Sequence, residues 1–530
     1  MAESIEVPVL IVGGSLVGLS GALLLGHHGI RTLVAEHHSG TAIHPRAAQI
    51  NQRTMEIFRT VGIEPVVLRK SDEQFVQDGA VMGVETLAGK EIAWYISNLN
   101  EGVTDVSPTI RVFITQSLLE PLLKSRAEEL GAGLRFNTAM VSFEQDSHGV
   151  NAVLRKRDTG ETANVRARYM IAADGSHSRV RQALGIRMLG RGVFSKSVTI
   201  YFHANVAPLL RGRNLSVVYV INPVLRGFFR FEKPFDSGFL AINALGDPAN
   251  PITDVSTGLT EARCKELVQA ALGSSDVPVQ IDNVMPWEAT ADSAARLRDG
   301  NVFLAGDSAH TMPPNGGFGG NTGIHDVHNL AWKLALVLKG IAGPGLLSSY
   351  ETERLPVGAF TTEQAYSRYV TRTAPYLAGA DLQPVENDLN IELGYGYAPA
   401  PLHQNPRESK GRPGTRAPHL ALQCGAGTIS TLDLFGRNFV LLAAPEAQPW
   451  SAAAAQIAGR GLPLDTWRIG TDGLSDPVGT FPEAYGITAS GAVLVRPDGF
   501  VAWRAPTSAE ASPEALAAVL AAELRRPQVG

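Results

Sequence analysis

Only two cysteines, Cys264 and Cys424, occur in 530 residues. They are too few and too far apart for a disulfide framework or a thiolate zinc site, and the compartment this predicts is a reducing cytoplasm. An excess of one charge is also missing. Lys and Arg number 46 against 51 Asp and Glu, giving a formal net charge of −5. The basic residues are scattered, so nucleic acid and anionic membrane are not expected partners. Arg155-Lys156-Arg157 reads as a solvated strand end or loop. One apolar stretch, residues 7–26, is about long enough to span a bilayer. However, Glu3 and Glu6 precede it where a signal peptide carries Lys or Arg, and Gly13, Gly14, Ser15 and Gly18 interrupt it. A buried strand, a glycine turn and a buried helix describe it better.

What is present is an ordinary globular balance, 44% hydrophobic and 18% charged residues, which excludes a disordered chain. The length predicts roughly three domains. Glycine is over-supplied, 54 in 530, with no repeat to account for it, so tight turns and close backbone approaches are expected.

Residues 7–12 read as an apolar strand, 16–28 as a helix ending at Gly29, and 31–36 as a second strand. That is a βαβ unit, whose right-handed crossover requires a parallel sheet. Between about 190 and 290 the pattern changes to short strands separated by turn residues, an antiparallel sheet, followed by a helix near 259–272. Residues 302–305 form another buried strand leading to a helix over 322–339. Residues 380–415, rich in Pro, Gly, Tyr and Asn, read as a long loop or linker. A last unit has strands near 439–443, 466–469, 492–495 and 501–504 and a helix near 513–526.

Three motifs carry chemistry. Gly13-Gly14-Ser15-Leu16-Val17-Gly18 lies between strand and helix, with Glu36 eighteen residues after Gly18. Turn glycines let backbone N–H groups at a helix N-terminus approach a pyrophosphate, and an acid ending the second strand can accept ribose hydroxyls. Packing of a glycine-rich helix start is the competing explanation. The second motif, Ala173-Asp174-Gly175-Ser176-His177-Ser178-Arg179, turns from an apolar strand into a capped helix. In the third, strand 302–305 delivers Gly306-Asp307, and the loop Pro314-Asn315-Gly316-Gly317-Phe318-Gly319-Gly320-Asn321 opens the next helix. An ionised Asp307 is a pure acceptor suited to polyol hydroxyls. The loop N–H groups and helix dipole suit a flat, partly anionic ring. His27-His28 and His37-His38 are adjacent pairs whose rings are not expected to converge, and no metal site is expected. His310 is balanced between a place near a ligand and strand-end packing. Tyr376, Tyr395 and Tyr397 fit either packing or an aromatic ligand.

The three motifs, in this order and spacing, resemble the class A flavoprotein aromatic hydroxylases, the para-hydroxybenzoate/phenol hydroxylase fold. The likeness covers about 1–370 and extends to Pro45-Arg46-Ala47, Gln116-x-x-Leu-Glu120 and Tyr350-Glu351-x-Glu353-Arg354. The last unit, through Thr431-Leu432-Asp433-Leu434-Phe435-Gly436 and Leu494-Val495-Arg496-Pro497-Asp498-Gly499, resembles the thioredoxin-like domain of phenol hydroxylases and bacterial aromatic-polyketide hydroxylases. It lacks Cys-x-x-Cys, so no redox role is expected of it.

The resemblance implies an α/β (α+β) chain. A Rossmann-like FAD-binding domain would be discontinuous, 1–189 and 291–380. An antiparallel-sheet substrate domain would span 190–290, a linker 381–415, and a thioredoxin-like domain 416–530. FAD would be held by Gly13, Gly14, Ser15, Leu16, Val17 and Gly18. Glu36 would bind the ribose, Arg46 and Gln116 would line the cleft, and Asp174 would belong to the segment serving FAD and the nicotinamide cofactor. Asp307 would take the ribitol or pyrophosphate side. Pro314, Gly317, Gly319, Gly320 and Asn321 would lie against the isoalloxazine ring. The family often has Gln and Met where this chain has Phe318 and Gly320.

The implied activity is a monooxygenase that draws on NADPH or NADH and O₂ and hydroxylates a polycyclic aromatic polyketide through a flavin C4a-hydroperoxide. The flavin carries the chemistry, and no protein catalytic base is assigned. Baeyer–Villiger insertion and simple-phenol hydroxylation are alternatives on the same fold, and a non-catalytic aromatic-ligand binder is an alternative of another class. The chain is expected as a monomer or homodimer.

Overall fold

The computed structural model describes residues 3–43, 49–246, 254–458, 462–471 and 473–525. Its first sheet is built on Glu3–Val12, which pairs in parallel with Thr32–Ala35 on one side and Thr162–Ala172 on the other. Val302–Leu304 adds in parallel to Thr162–Ala172, and Gly133–Arg135 to Thr32–Ala35. Parallel strands covered on both faces read as unbroken apolar runs, and Val9, Leu10, Ile11, Met170, Ile171, Val302, Phe303 and Leu304 are all buried. Register settles the architecture of the site. Val12 lies opposite both Ala35 and Ala172, and Ala172 opposite Leu304. The strands therefore end flush, and the turns after them emerge side by side at the carboxyl edge, where open α/β sheets bind ligands.

The Leu16–His27 helix follows the first strand and stops where Gly29 takes φ +74°. It packs against the Phe318–Leu338 helix through small residues. A Cβ on Gly323 would lie 2.5 Å from Val17 Cγ2. The Phe318–Leu338 helix begins four residues earlier than its apolar periodicity indicates, because Gly317 at φ +67° serves as its N-cap. Ser348–Arg372 is one continuous helix despite Pro356 within it.

The second sheet has eight strands. In order across the sheet they are His310–Thr311, Gln280–Ala294, Met188–His203, Ser237–Leu245, Leu225–Glu232, Leu215–Ile221, Ala80–Val84 and Glu91–Ile96. It is wider than residues 190–290, since it recruits the hairpin at 80–96 and two residues after the Gly306 turn. It is also not wholly antiparallel, because Leu215–Ile221 pairs in parallel with Ala80–Val84. One face, with Val198, Ile200, Phe202, Phe229 and Leu240, is buried with Cys264, Leu267 and Val268 of the Glu261–Leu272 helix. Alternation along the strands leaves Tyr201, Tyr219, Phe228, Arg230, Phe239 and Asn243 on the other face.

The C-terminal sheet runs Leu464–Arg468, Phe439–Ala443, Ala492–Val495, Val501–Ala505. The first pair is parallel, bridged by the Gln448–Ala458 helix. The others are antiparallel, and the Pro513–Glu523 helix follows. This βαβ then ββα connectivity is thioredoxin-like. Its core is shared with Trp332, Leu336 and Leu346 from outside it.

Residues 381–415 are mostly loop but include the short helix Asp388–Glu392, and they are not a loose tether. Tyr395 and Tyr397 are each 4% exposed, and Tyr397 stacks on Phe500 with ring centroids 4.3 Å apart. Among the described residues no helix is long and apolar enough to cross a membrane.

Candidate functional site

At the first turn the glycines are sterically required. Gly13 sits at φ +103°, and a Cβ there would come within 2.2 Å of Ala173 O. One on Gly18 would come within 1.8 Å of Gly13 O. Gly14 N–H donates to Glu36 Oε2 at 2.6 Å, so the acid ending the second strand already touches the turn. Ser15, which replaces a glycine of the usual fingerprint, donates from Oγ to Glu120 Oε1 at 2.6 Å. Gln116 Nε2 donates to Ser15 Oγ at 2.7 Å and to the same Glu120 oxygen at 2.6 Å. The serine side chain thus ties the turn to the Gln116–Glu129 helix and does not cap its own helix. The first-turn N–H groups of such a helix are the ones an anion satisfies. Glu120, 1% exposed, is a site residue to which sequence reasoning assigned no role. Leu16 and Val17 are buried or half-buried in the contact with the Phe318–Leu338 helix. Arg46 lies outside the described residues.

The second and third turns are stapled together. Arg181 donates to Ser308 O at 3.0 Å and Ser176 O at 2.9 Å, and Ser308 Oγ donates to Ala172 O at 2.6 Å. Asp174 Oδ2 accepts Val180 N–H at 3.1 Å, whereas its Oδ1 is buried with no partner among the described residues. Asp307 is exposed, on the one-turn 3₁₀ helix Gly306–Ser308. Behind it, Asp326 Oδ2 accepts Gly306 N–H at 3.1 Å and pairs with His310 Nε2 at 2.7 Å. His310 therefore braces the turn from inside.

The glycine loop closes this edge. Gly316 and Gly317 have φ +97° and +67°, and a Cβ on Gly317 or Gly320 would come within 2.8 Å of Gln49 or Leu16. Gly319 has ordinary room, and Pro314 is exposed. The Asn321 side chain is committed internally. Its Oδ1 accepts from Asn51 N and Thr54 Oγ1, and its Nδ2 donates to Gln49 O and Gly317 O. What it can offer a ligand is backbone. Phe318, 2% exposed, packs beneath the loop under the Arg368 guanidinium.

Beside the loop lies the other, ring-bearing face of the second sheet. Asn315 Nδ2 reaches Tyr219 Oη and Thr373 Oγ1, both at 3.4 Å, and its Oδ1 is buried with no partner among the described residues. The half-buried Arg372 guanidinium lies 5.5 Å from the Tyr95 ring centre and 5.9 Å from that of Tyr219. Burial opposes its charge, but Tyr219 and Asp388 outweigh burial and hold it cationic. Arg230, 6% exposed, stacks 3.6 Å over Phe113, and its Nε and one terminal nitrogen have no partner among the described residues. Burial pushes its guanidinium down to about 9, with Glu232 pulling the other way. Phe113 pairs with Gln49, whose side chain holds Gly316 O at 3.1 Å. The Arg230 guanidinium is therefore one strand from the loop. Arg230, Arg372, Tyr219 and Asn315 come from separate segments, and no spacing in the sequence links them.

The adjacent histidines behave differently from expectation. His37 and His38 both turn Nδ1 onto Glu36 Oε1, at 3.1 and 2.7 Å. The i, i+1 argument applies to helices, and these residues follow a strand end. Tyr395 and Tyr397 are core residues, whereas Tyr376 is half-buried near Trp287 and Phe194.

The donor set fits FAD. A glycine cradle backed by the Glu36 carboxylate stands at one end, with an Asp174 oxygen that has no partner among the described residues. An exposed Asp307 and a loop that tolerates no side chain at Gly317 stand at the other. Comparison with known proteins agrees. A family described as "FAD binding domain" matches residues 6–365, and one described as "Aromatic-ring hydroxylase, C-terminal" matches 410–527. A 4-methyl-5-nitrocatechol 5-monooxygenase of Burkholderia sp. is 51% identical, with 98% of each chain covered. A tetracenomycin A2 monooxygenase-dioxygenase of Streptomyces glaucescens is 39% identical over 98% of this chain and 96% of its own. Among solved structures, aklavinone-11 hydroxylase in complex with FAD and aklavinone superposes with a TM-score of 0.92 at 34% identity, covering 98% of this chain and 99% of that one.

Proposed function

Because this chain belongs to the FAD-dependent aromatic-ring monooxygenases, we propose that it hydroxylates a single-ring phenol or catechol bound as its anion, at the expense of NAD(P)H and O₂. The overall balance is ArH + O₂ + NAD(P)H + H⁺ giving ArOH + NAD(P)⁺ + H₂O. Bound FAD supplies the electron transfer and oxygen activation. The residues proposed to hold it are 13–18, Glu36, Gln116, Asp174, Asp307 and the backbone of 314–321, with Glu120 and Ser15 ordering the first turn.

The observation that carries the substrate reading is the cationic Arg372 set beside Tyr219 and Asn315 at the loop. A cation next to a bound phenol favours the ionised form, whose ring is the more electron-rich. The Asn315 amide and Tyr219 hydroxyl are placed to orient that oxygen. Rings line the rest of the face. Tyr95, Tyr219, Phe228, Phe239 and Tyr201 form a row with successive centroids 5.7, 5.8, 6.0 and 5.9 Å apart. This wall keeps water from the reacting ring. The full-length likeness to a nitrocatechol monooxygenase supports a compact substrate.

A second reading, a polycyclic polyketide, draws on the tetracenomycin and aklavinone relatives. The test is NAD(P)H consumption with product mass for phenol, catechol and 4-methyl-5-nitrocatechol against an anthracyclinone. Coupled oxygen insertion into a single-ring compound is expected. Turnover of the anthracyclinone alone would replace this reading by the second.

A further inference from the structure

The turn at residues 496–499 plays no part in the chemistry above, yet it is where the C-terminal unit meets both helices behind the glycine loop. Asp498 is 2% exposed. Its carboxylate accepts from Trp332 Nε1 at 3.1 Å and from the Arg496 guanidinium at 3.0 and 2.5 Å. Its backbone oxygen accepts from Arg53 at 2.6 Å. Trp332 lies on the Phe318–Leu338 helix, which begins in the glycine loop. Arg53 lies on the Gln52–Thr60 helix, whose N-cap Asn51 is hydrogen-bonded through its N–H to Asn321.

Further buried pairs fix the same joint. Arg496 grips Glu353 at 2.7 and 2.9 Å, and Lys333, one residue beyond Trp332, reaches the same carboxylate at 2.7 Å. Burial works against charge on Glu353, but Arg496 and Lys333 outweigh it and hold it ionised. On the other helix, Glu56 is held by Arg53, Arg416 and Ser107. Buried hydrogen-bonded charge networks rigidify what they join, and losing one member strands a buried charge.

We propose that the 496–499 turn is a positioning element for the flavin. By fixing the Gln52–Thr60 and Phe318–Leu338 helices against each other, it sets the geometry at Asn321, between Gln49 and Gly317, and so the placement of the loop N–H groups against the FAD ring. The proposal rests on the reading that residues 316–321 face that ring. It gives a non-redox unit a task in the flavoprotein: bracing the cofactor loop from behind. The residues involved touch no ligand and act through Asn321.

The test uses the full chain. FAD affinity is measured by quenching of free-FAD fluorescence, together with the visible band of the bound flavin and the thermal midpoint. Asp498→Ala is expected to weaken FAD by at least about fivefold, the lower end of typical intramolecular coupling, and to alter the band. Asp498→Asn, which keeps side-chain volume and the backbone acceptor for Arg53, covers the case in which the alanine variant does not fold and is expected to shift FAD affinity in the same direction. Leu516→Ala, in the core between the Pro513–Glu523 and Gln448–Ala458 helices, is the control for simple destabilisation and is expected to lower the thermal midpoint with FAD affinity unchanged. The proposal fails if the Asp498 variants melt earlier with wild-type FAD affinity and spectrum, or if Leu516→Ala weakens FAD equally. If the unaltered protein does not bind FAD, the loop reading itself falls and takes the proposal with it.

Discussion

Arg354 Nε donates to Asp326 Oδ1 at 2.8 Å, and neither side chain has any exposed surface. Asp326 is shared with His310 and with the N–H of Gly306, so this pair anchors the turn that presents Asp307. Burial pushes the Asp326 carboxyl up, but His310 and Arg354 outweigh it and hold it below its ordinary value. Removing one partner of a buried pair costs about 3–5 kcal/mol because the other charge is left uncompensated. Arg354→Met is therefore expected to lower unfolding free energy by about that amount in urea titrations. A loss below about 1 kcal/mol would mean that the pair behaves as though solvent-exposed.

The two ends of the proposed cofactor site make different demands. At Gly14 a Cβ would lie 2.7 Å from Glu36 Cβ, so Gly14→Val must displace the carboxylate from the turn. Asp307 is exposed, and Asp307→Ala removes its carboxylate acceptors. Hydrogen bonds to a charged group contribute about 1.5–3 kcal/mol, roughly 10- to 100-fold in affinity. Asp307→Ala should weaken FAD by about that factor, whereas Gly14→Val should lower both FAD affinity and stability. Full flavin retention by Asp307→Ala through dialysis would remove this residue from the site.

The first strand–turn–helix, the Asp174 turn and the Gly306-Asp307 strand end were legible because each is short and local, with glycines held at positive φ or too close to a neighbour for a side chain. Flush strand ends then follow from pairing register. The far side of the site was not legible for the opposite reason. Arg372 ends a 25-residue helix and Tyr219 sits in a seven-residue strand, and only the fold brings them together. The 80–96 hairpin escaped because its place depends on a parallel pairing to residues more than 130 positions away, and its first strand is buried on both faces without alternation. Ser15 stands where the usual fingerprint has a glycine, and only the fold shows that its hydroxyl links the turn to Glu120. Residues 380–415 read as a loop or linker, but composition reveals neither the short helix Asp388–Glu392 nor that Tyr395 and Tyr397 are core residues.

Acidification should act through the end of the first helix. Burial pushes His27 down to about 4 and His28 down to about 3, reinforced by the Arg437 cation for both. The unfolded chain binds these protons near the ordinary value of about 6.5, so over this range it holds more protons than the native state. Stability contributed by the neutral histidines is therefore present above about pH 6.5 and is lost as pH falls toward 4 and then 3. A His27→Gln, His28→Gln variant should show a flatter fall in thermal midpoint over that window. Parallel curves for variant and wild type would place the acid sensitivity elsewhere.

Arg230 shows what the ring-side face costs the fold. Its guanidinium is 6% exposed, two of its nitrogens have no partner among the described residues, and Glu232 offsets only part of the effect of burial. Stacking on Phe113 at 3.6 Å and Phe75 at 4.8 Å returns about 2 kcal/mol for a desolvated cation–π contact, whereas burying an ion costs several kcal/mol. The balance is unfavourable unless an anion arrives, and the proposed phenolate or the ring of the bound cofactor is the anion at hand. Arg230→Leu should therefore stabilise the FAD-free protein by about 1–3 kcal/mol while lowering kcat/KM for NAD(P)H-dependent hydroxylation by at least about tenfold. The two measurements separate the alternatives. A lower thermal midpoint would show that ring stacking outweighs desolvation. A higher midpoint with unchanged turnover would show that the cation serves neither ligand.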